Sequence, residues 1–306
     1  MTWINKVLNQ WQLELPMAET SALFLRVLNL AGFLLFVWML PIADQVWGMD
    51  YFVIMDSSFE GVKGLAMLLK NDAFRAHYQW FLYPCLLLMA AAVFGFSNMV
   101  LRFITWFLFV NLHYANYEVS NGGWHLLHHL FFLSIFLIPV SNQESNQMAA
   151  LKRLLHHLGF YFIWIQISIL YLVAGTHKLL GNAWPDGEAL LITLALDEFT
   201  LPWIQENLKQ NTWFLKLGTW ISLGYQISFP LLIWVKRVRP WLLSIGLIFH
   251  LSIAFIVGVT DFGLILVCVY AIFIPENLAH QINQTLSLKF FRRKIAGIKI
   301  MSGIGD

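Results

Sequence analysis

A lysine lies at the end of a long apolar stretch of this chain. Residues 171–187 read YLVAGTHKLLGNAWPDG and include Lys178. A charged side chain at membrane depth is costly unless it is paired, reaches the headgroups or faces water, so it is a candidate functional residue. Apolar surroundings disfavour the ammonium form, and a neutral amine is a base. We therefore predict Lys178 as a catalytic base; the alternative is that its amine reaches the outer headgroups.

Two histidines are predicted to assist this lysine. His177 precedes it directly, and His113 lies near the end of an earlier apolar stretch. Imidazole changes charge near neutral pH, so either ring could orient a substrate or relay a proton. We expect both to be catalytic residues.

Further polar and aromatic side chains are predicted to lie at the same depth. An apolar protein that brings such side chains together from several helices is expected to have a binding site there. His250 has an alternative role, because a lone buried histidine within a helix usually bonds a neighbouring helix. The predicted substrate-binding residues are Tyr114, Asn121, Trp184 and His250.

Three histidines are spaced so that they share one face of a helix. His125, His128 and His129 stand at positions i, i+3 and i+4. This single box is similar to one of the several histidine boxes of membrane desaturases and hydroxylases. Neutral imidazole suits iron, copper or zinc, so a metal site that also includes His113 is one alternative. Hydrogen bonds between helices are the expected role, and we expect no metal.

The composition indicates a membrane protein. Of the 306 residues, 59% are hydrophobic and 12% are charged, more apolar surface than a soluble domain of this size could bury. The net charge of +2 gives no indication of a nucleic-acid partner. The chain has no Gly-rich phosphate loop, GxSxG, HExxH or dinucleotide fingerprint, which excludes the kinases, hydrolases and dehydrogenases that carry them.

Apolar stretches near the spanning length of about 20 residues predict an all-α polytopic membrane protein. We expect one domain over residues 1–306, with an interfacial segment at 1–20, a helical bundle at 21–275 and a basic tail at 276–306. Apolar faces in both terminal segments predict interfacial helices. The last two stretches could form one bent hairpin, so the helix count is seven or eight. The predicted spans are 21–42, 79–96, 98–115, 122–140, 158–180, 213–235, 241–259 and 261–274.

The basic residues predict the orientation in the membrane. Lys and Arg cluster at residues 152–153, 236–239 and 289–294, and cytoplasmic loops carry such an excess. We therefore predict a bacterial inner-membrane protein with both termini in the cytoplasm and Lys178 at the outer leaflet. Arg102, near the inner end of its span, is expected to reach the inner headgroups.

The stretch around Lys178 resembles a known family. Residues 171–179 together with Trp184 and Gly187 resemble the central signature of the horizontally transferred transmembrane (HTTM) domain, the membrane part of vitamin K-dependent gamma-carboxylase. Residues 249–262 are similar to that family's later histidine-containing helix. The resemblance implies that Lys178 matches the base that deprotonates reduced vitamin K, so that oxygen can add to the quinol. It also implies that His113 assists and that a reduced quinone is the cofactor.

The chain departs from the carboxylase in two respects. The carboxylase has a large lumenal portion after its membrane domain that recognises substrate, and this chain ends about thirty residues after its last predicted span. His177 stands where the carboxylase has a second lysine. The chain is therefore more similar to stand-alone bacterial relatives, among them the SdpB-like maturation factors of secreted toxin peptides.

Three functions remain open at this point. The first is a carboxylase- or quinol-epoxidase-like enzyme that acts on a lipid quinol or a secreted peptide at an outward-facing intramembrane site. The second is a non-catalytic maturation or export partner for a secreted peptide, working with an accessory membrane or periplasmic protein. The third is a metal-dependent membrane oxygenase built on the histidine box.

Overall fold

The computed structural model describes residues 17–50, 68–69, 71–115, 119–139, 147–196, 199 and 202–286. Every regular element in these residues is a helix, and they contain no strand. The predicted interfacial helix within residues 1–16 and the basic residues at 289–294 lie outside the described residues. The α-helices are α1 (Ala18–Met39), α2 (Ala43–Trp47), α3 (Asp72–Arg75), α4 (Gln79–Val93), α5 (Met99–Ala115), α6 (Gly122–Ser134), α7 (Gln147–Leu179), α8 (Ala189–Ala195), α9 (Pro202–Lys209), α10 (Thr212–Leu232), α11 (Arg239–Ser252), α12 (Thr260–Val269) and α13 (Glu276–Leu286).

Each predicted apolar stretch forms a helix, with boundaries that differ from the prediction. The largest difference is in α7, which begins at Gln147 although the apolar stretch begins at 158. Its first turns contain Lys152 and Arg153, which favour helix but lower the hydropathy. Hydropathy therefore located the apolar part of this helix and not its start.

Three helical segments are long and apolar enough to cross a membrane. They are Ala18–Trp47, Gln147–Leu179 and Arg239–Val257. A fourth is added if Thr260–Phe273 and Glu276–Leu286, bent by 113° at the break between them, count as one span. Helices α4 and α5 are apolar but shorter. The protein is thus all-helical in its described residues, with three to four apolar candidate spans.

The chain divides into two compact units. Unit 1 comprises Met1–Ser120, Leu126–Phe160 and Ala271–Asp306, and unit 2 comprises Asn121–His125 and Tyr161–Tyr270. The expectation of a single domain over 1–306 stays a prediction.

Aromatic side chains form the centre of unit 1, where α1 packs on α4 and α4 on α5. The ring centroids of Phe36 and Trp47 are 5.5 Å apart, and those of Phe36 and Phe109 are 5.3 Å apart. The buried indole nitrogen of Trp47 donates to the Leu112 carbonyl at 2.9 Å. These large rings remove much apolar surface and keep their one polar group bonded.

Arg102 of unit 1 is buried, so the expectation that it reaches the headgroups is wrong. Its side chain is only 4% exposed. One guanidinium nitrogen donates to the carbonyls of Ser134 at 2.7 Å and Leu137 at 2.6 Å, at and just after the end of α6. The last carbonyls of a helix have no partner within it and carry partial negative charge, so a cation stabilises them.

Helix α13 ties the far end of the chain to the start of α1 in unit 1. The Glu276 carboxylate accepts hydrogen bonds from the backbone nitrogens of Glu19 at 2.8 Å and Thr20 at 2.9 Å. In return, the Glu19 carboxylate accepts from Asn283 at 2.8 Å and contacts His280 at 3.1 Å. Each carboxylate thus satisfies donors of the other helix. The segment predicted as a tail begins with this helix.

In unit 2, α10 packs against α8 and α11, and α11 packs against α12. Gly175 of α7 allows a close approach to α10, because a Cβ there would lie 3.0 Å from the side chain of Ile227. After α11 the helix widens into a π-helical turn over Ile253–Val257 and ends at Gly258, whose φ is 86°. Glycine adopts this left-handed conformation at little cost, which lets the chain reverse into α12.

Candidate functional site

Four polar side chains are joined by hydrogen bonds inside unit 2. The Tyr171 hydroxyl is 2.6 Å from Nε2 of His250 and 2.7 Å from the Tyr270 hydroxyl. The Tyr270 hydroxyl is in turn bonded to the Tyr225 hydroxyl. All four side chains are at most 8% exposed. We call this set the tyrosine–histidine chain.

Each member of the tyrosine–histidine chain comes from a different part of the fold. Tyr171 lies on α7, Tyr225 on α10 and His250 on α11, and Tyr270 follows α12 directly. Space for the hydroxyls is made by Gly246, one turn before His250, because a Cβ there would overlap the hydroxyl oxygens of both Tyr225 and Tyr270. The rings pack among apolar side chains such as Phe229, whose centroid is 4.0 Å from that of Tyr171.

One nitrogen of the chain has no partner. Nδ1 of His250 is buried and has no hydrogen bond within the part of the protein that the structure describes. The residue is 1% exposed. A buried ring nitrogen without a partner costs stability, and such groups are rare in folded proteins.

A cavity of about 380 Å³ lies beside this chain in unit 2. Its wall is almost entirely apolar and comes from α8 to α11 and the π-helical turn; Tyr225 and Phe249 are part of it, and Ser222 adds a hydroxyl. The Ser222 hydroxyl donates to the Gly218 carbonyl of its own helix. A mostly apolar cavity of this size with few polar groups is typical of small-molecule sites.

Lys178 lies near the end of α7, as predicted, and is half-buried. Its amine lies 4.8 Å from the ring centre of Trp184, so the cation faces the aromatic ring. Trp184 belongs to a turn that Trp220 of α10 holds by donating to the Pro185 carbonyl at 2.9 Å. None of the carboxylates that the structure describes forms an ion pair with Lys178. Tyr171 precedes Lys178 by about two helical turns on the same face.

The other predicted residues of unit 2 have different surroundings. His177 is exposed. Asn121 donates through its amide nitrogen to Asp261 at 2.7 Å and accepts from the Gly123 backbone nitrogen at 2.8 Å. Trp124 also donates to Asp261, at 3.3 Å. The Asn121 side chain is therefore occupied in joining the start of α6 to the start of α12.

In unit 1 the structure brings together His113, Tyr114 and His128. The Tyr114 hydroxyl is 3.5 Å from Nδ1 of His128, and the ring centroids of His113 and His128 are 5.8 Å apart. His113 and Tyr114 are buried. These aromatic contacts join α5 to α6, and the catalytic role of His113 stays a prediction.

The histidine box gains no support as a metal site. Among the residues that the structure describes, no group of three or more His, Cys, Asp or Glu side chains is arranged to hold a metal ion. His125 and His128 are half-buried and His129 is exposed.

Sequence reasoning missed three members of the tyrosine–histidine chain. It treated Tyr171 only as part of a family signature and did not consider Tyr225 or Tyr270. The available signal was chemical: a tyrosine in an apolar helix needs a partner for its hydroxyl, and the chain has only nine tyrosines. The alternative considered for His250, a bond to a neighbouring helix, agrees with its contact to Tyr171 of α7.

Comparison with curated proteins finds a similarity to the sporulation-delaying protein SdpB of Bacillus subtilis (strain 168). The two chains are 23% identical over 173 residues, which is 52% of this chain and 52% of SdpB. The chain therefore spans about half the length of the curated relative that it matches. No protein-family model matches the chain, and no solved structure matches it. The chain is thus a distant, SdpB-like relative over that half.

Proposed function

We propose that this chain is a polytopic membrane protein that takes part in the maturation of a secreted peptide. The similarity to SdpB carries the proposal, because the SdpB-like proteins that the sequence resembles are maturation factors of secreted toxin peptides. The long apolar helices support the membrane part of the proposal. The substrate would be a peptide that reaches the protein during or after export.

Lys178 is the side chain that we propose acts on this substrate. It is half-buried at the end of an apolar helix, it faces Trp184, and no carboxylate in the described ranges neutralises it. An ionisable group in such surroundings is a functional candidate. Its amine would accept a proton from a bound group, with His177 beside it in sequence and the indole of Trp184 limiting its motion.

Replacing Lys178 by alanine is expected to reduce the mature secreted peptide about 100-fold, the range typical for loss of a general base. The secreted peptides of the native host would be compared by mass spectrometry for three strains: wild type, one lacking the chain, and one carrying Lys178→Ala. The matched control is Lys236→Ala, because Lys236 is exposed in the turn after α10. This control should secrete the wild-type amount.

The three strains separate the hypotheses. No difference between wild type and the strain lacking the chain would overturn the role in peptide maturation. If removal of the chain abolishes the mature peptide but Lys178→Ala does not, the protein is the non-catalytic export partner, and the role as a base is wrong.

A second candidate function uses a lipid quinol. The resemblance of the Lys178 stretch to the HTTM domain favours it, and an amine base without a described carboxylate partner suits a hydroxyl group that must lose a proton. Reduced quinone would supply the reducing chemistry when bound, and Lys178 would take up the proton. Purified wild-type protein would then oxidise added menaquinol in air, and Lys178→Ala would not. Equal rates for the two proteins would exclude this function.

For the membrane arrangement we propose eight spans in a bacterial inner membrane, with both termini in the cytoplasm. The basic loops at 152–153 and 236–239 support this orientation, since Lys and Arg accumulate on the cytoplasmic side. Alkaline phosphatase fused after Asp186 should be active, because the enzyme works only outside the cytoplasm, and the same fusion after Arg237 should be inactive. Activity at Arg237 and none at Asp186 would reverse the orientation.

A further inference from the structure

We propose that the tyrosine–histidine chain is a proton relay through which His250 acts as a base on a ligand in the adjacent cavity. Tyr225 is both the last member of the chain and part of the cavity wall. His250 is at the other end, behind two further hydroxyls. This inference is independent of the role proposed for Lys178.

The number of protons in the chain fixes its direction. Three hydroxyls provide three protons, and three hydrogen bonds join the four side chains. All three protons are used if Tyr225 donates to Tyr270, Tyr270 to Tyr171, and Tyr171 to Nε2 of His250. The imidazole then carries its own proton on Nδ1.

The opposite direction is less favourable without a ligand. If Nε2 of His250 donated to Tyr171, each hydroxyl would turn toward the next, and the Tyr225 proton would need an acceptor in the cavity. Nδ1 would then be an acceptor without a donor. The resting chain is therefore polarised toward His250, and the bonds in such a chain strengthen one another.

Two independent observations point to more than a structural role. A network that only stabilises the fold is expected to satisfy all its buried polar atoms, and here Nδ1 is left without a partner in the described structure. In addition, a glycine at 246 gives up a side chain in the middle of α11, and the space is filled by the two hydroxyls at the cavity end of the chain.

The proton transfer balances as follows. An acidic group of the ligand gives its proton to the Tyr225 oxygen and keeps the electron pair of the broken bond. Tyr225 passes its own proton to Tyr270, Tyr270 to Tyr171, and Tyr171 to Nε2 of His250. Each hydroxyl loses one proton and gains one, the ligand becomes an anion, and the imidazole becomes an imidazolium. No oxidant or reductant takes part.

The cavity indicates the class of ligand. Its apolar wall suits an alkyl or similar apolar body, and the side chain of Tyr225 offers one polar contact. The ligand is therefore a largely apolar molecule with a single weakly acidic head group. Nonanoic acid is a suitable probe, and methyl nonanoate, which lacks the exchangeable proton, is its matched control.

Nitrogen NMR of protein labelled with ¹⁵N-histidine in lipid nanodiscs tests the relay. The His250 signals are assigned by their loss in His250→Gln. Without ligand, Nδ1 should give a protonated-type signal and Nε2 an acceptor-type signal. With nonanoic acid, both nitrogens should become protonated-type. Methyl nonanoate should leave Nε2 as an acceptor.

Two variants break the relay without touching His250 directly. Tyr225→Phe removes the hydroxyl at the cavity and Tyr270→Phe removes the middle one, so either should abolish the response to nonanoic acid. Tyr83→Phe, which removes an exposed phenol in unit 1, should keep it. The proposal is overturned if nonanoic acid leaves Nε2 of wild-type protein unchanged, or if either relay variant still responds. The two variants are independent, so one folded variant is sufficient.

Discussion

Gly246→Ala is expected to lower the free energy of unfolding by about 2–4 kcal/mol, combining overpacking with the loss of a buried hydrogen bond. The added Cβ would overlap the hydroxyl oxygens of Tyr225 and Tyr270, so at least one of these rings must move. Both rings are held by other buried groups and have little room to do so. Thermal unfolding of the purified protein in detergent, followed by intrinsic fluorescence, measures the effect.

Gly224→Ala is the matched control for this substitution. Gly224 lies on α10, and a Cβ there meets no atom within 4 Å. Alanine favours helix by about 1 kcal/mol over glycine, so the control should be neutral or stabilising. Adding Tyr225→Phe to Gly246→Ala should recover part of the loss, because it removes one of the two overlapping oxygens. Equal unfolding temperatures for Gly246→Ala and Gly224→Ala would show that no such overlap exists.

Arg102→Leu is expected to lower the free energy of unfolding by about 3 kcal/mol, since it removes two hydrogen bonds to a charged donor. The carbonyls of Ser134 and Leu137 would lose their buried donor where α6 ends. Leucine fills much of the space but offers no donor. Chemical unfolding in mixed micelles, compared with wild type, gives the difference.

The controls for Arg102 separate the charge from the geometry. Arg102→Lys keeps the charge but not the planar guanidinium, so an intermediate loss is expected. Arg237→Leu removes an exposed arginine and should change stability by less than about 0.5 kcal/mol. A wild-type stability for Arg102→Leu would mean that the carbonyls find other partners.

Local features of the sequence predicted the helices and the place of Lys178. The apolar run stops at Leu180 and is followed by Gly181 and Asn182, and α7 ends at Leu179. Glycine and asparagine commonly follow helix ends, so this boundary was accessible. The start of the same helix was not, because its first turns are polar and hydropathy does not distinguish a polar helix from a loop.

The tyrosine–histidine chain depends on which helices are neighbours, and local pattern does not give that information. Tyr171 and His250 are 79 residues apart, and Tyr171 and Tyr270 are 99 residues apart. Arg102 shows the same limit. Its acceptors are 32 and 35 residues away, so a rule based on its position in a span predicted a headgroup contact in place of a buried one.

The mutual contact between Glu19 and Glu276 has a consequence for biosynthesis. The two residues are separated by 257 positions, so the first helix must wait for its carboxylate until nearly the whole chain has left the ribosome. At about 5–20 residues per second, this delay is on the order of 10 to 50 seconds. During translation the amides of Glu19 and Thr20 must therefore bond to water or to lipid headgroups, and nascent chains that stop before Glu276 never close this contact.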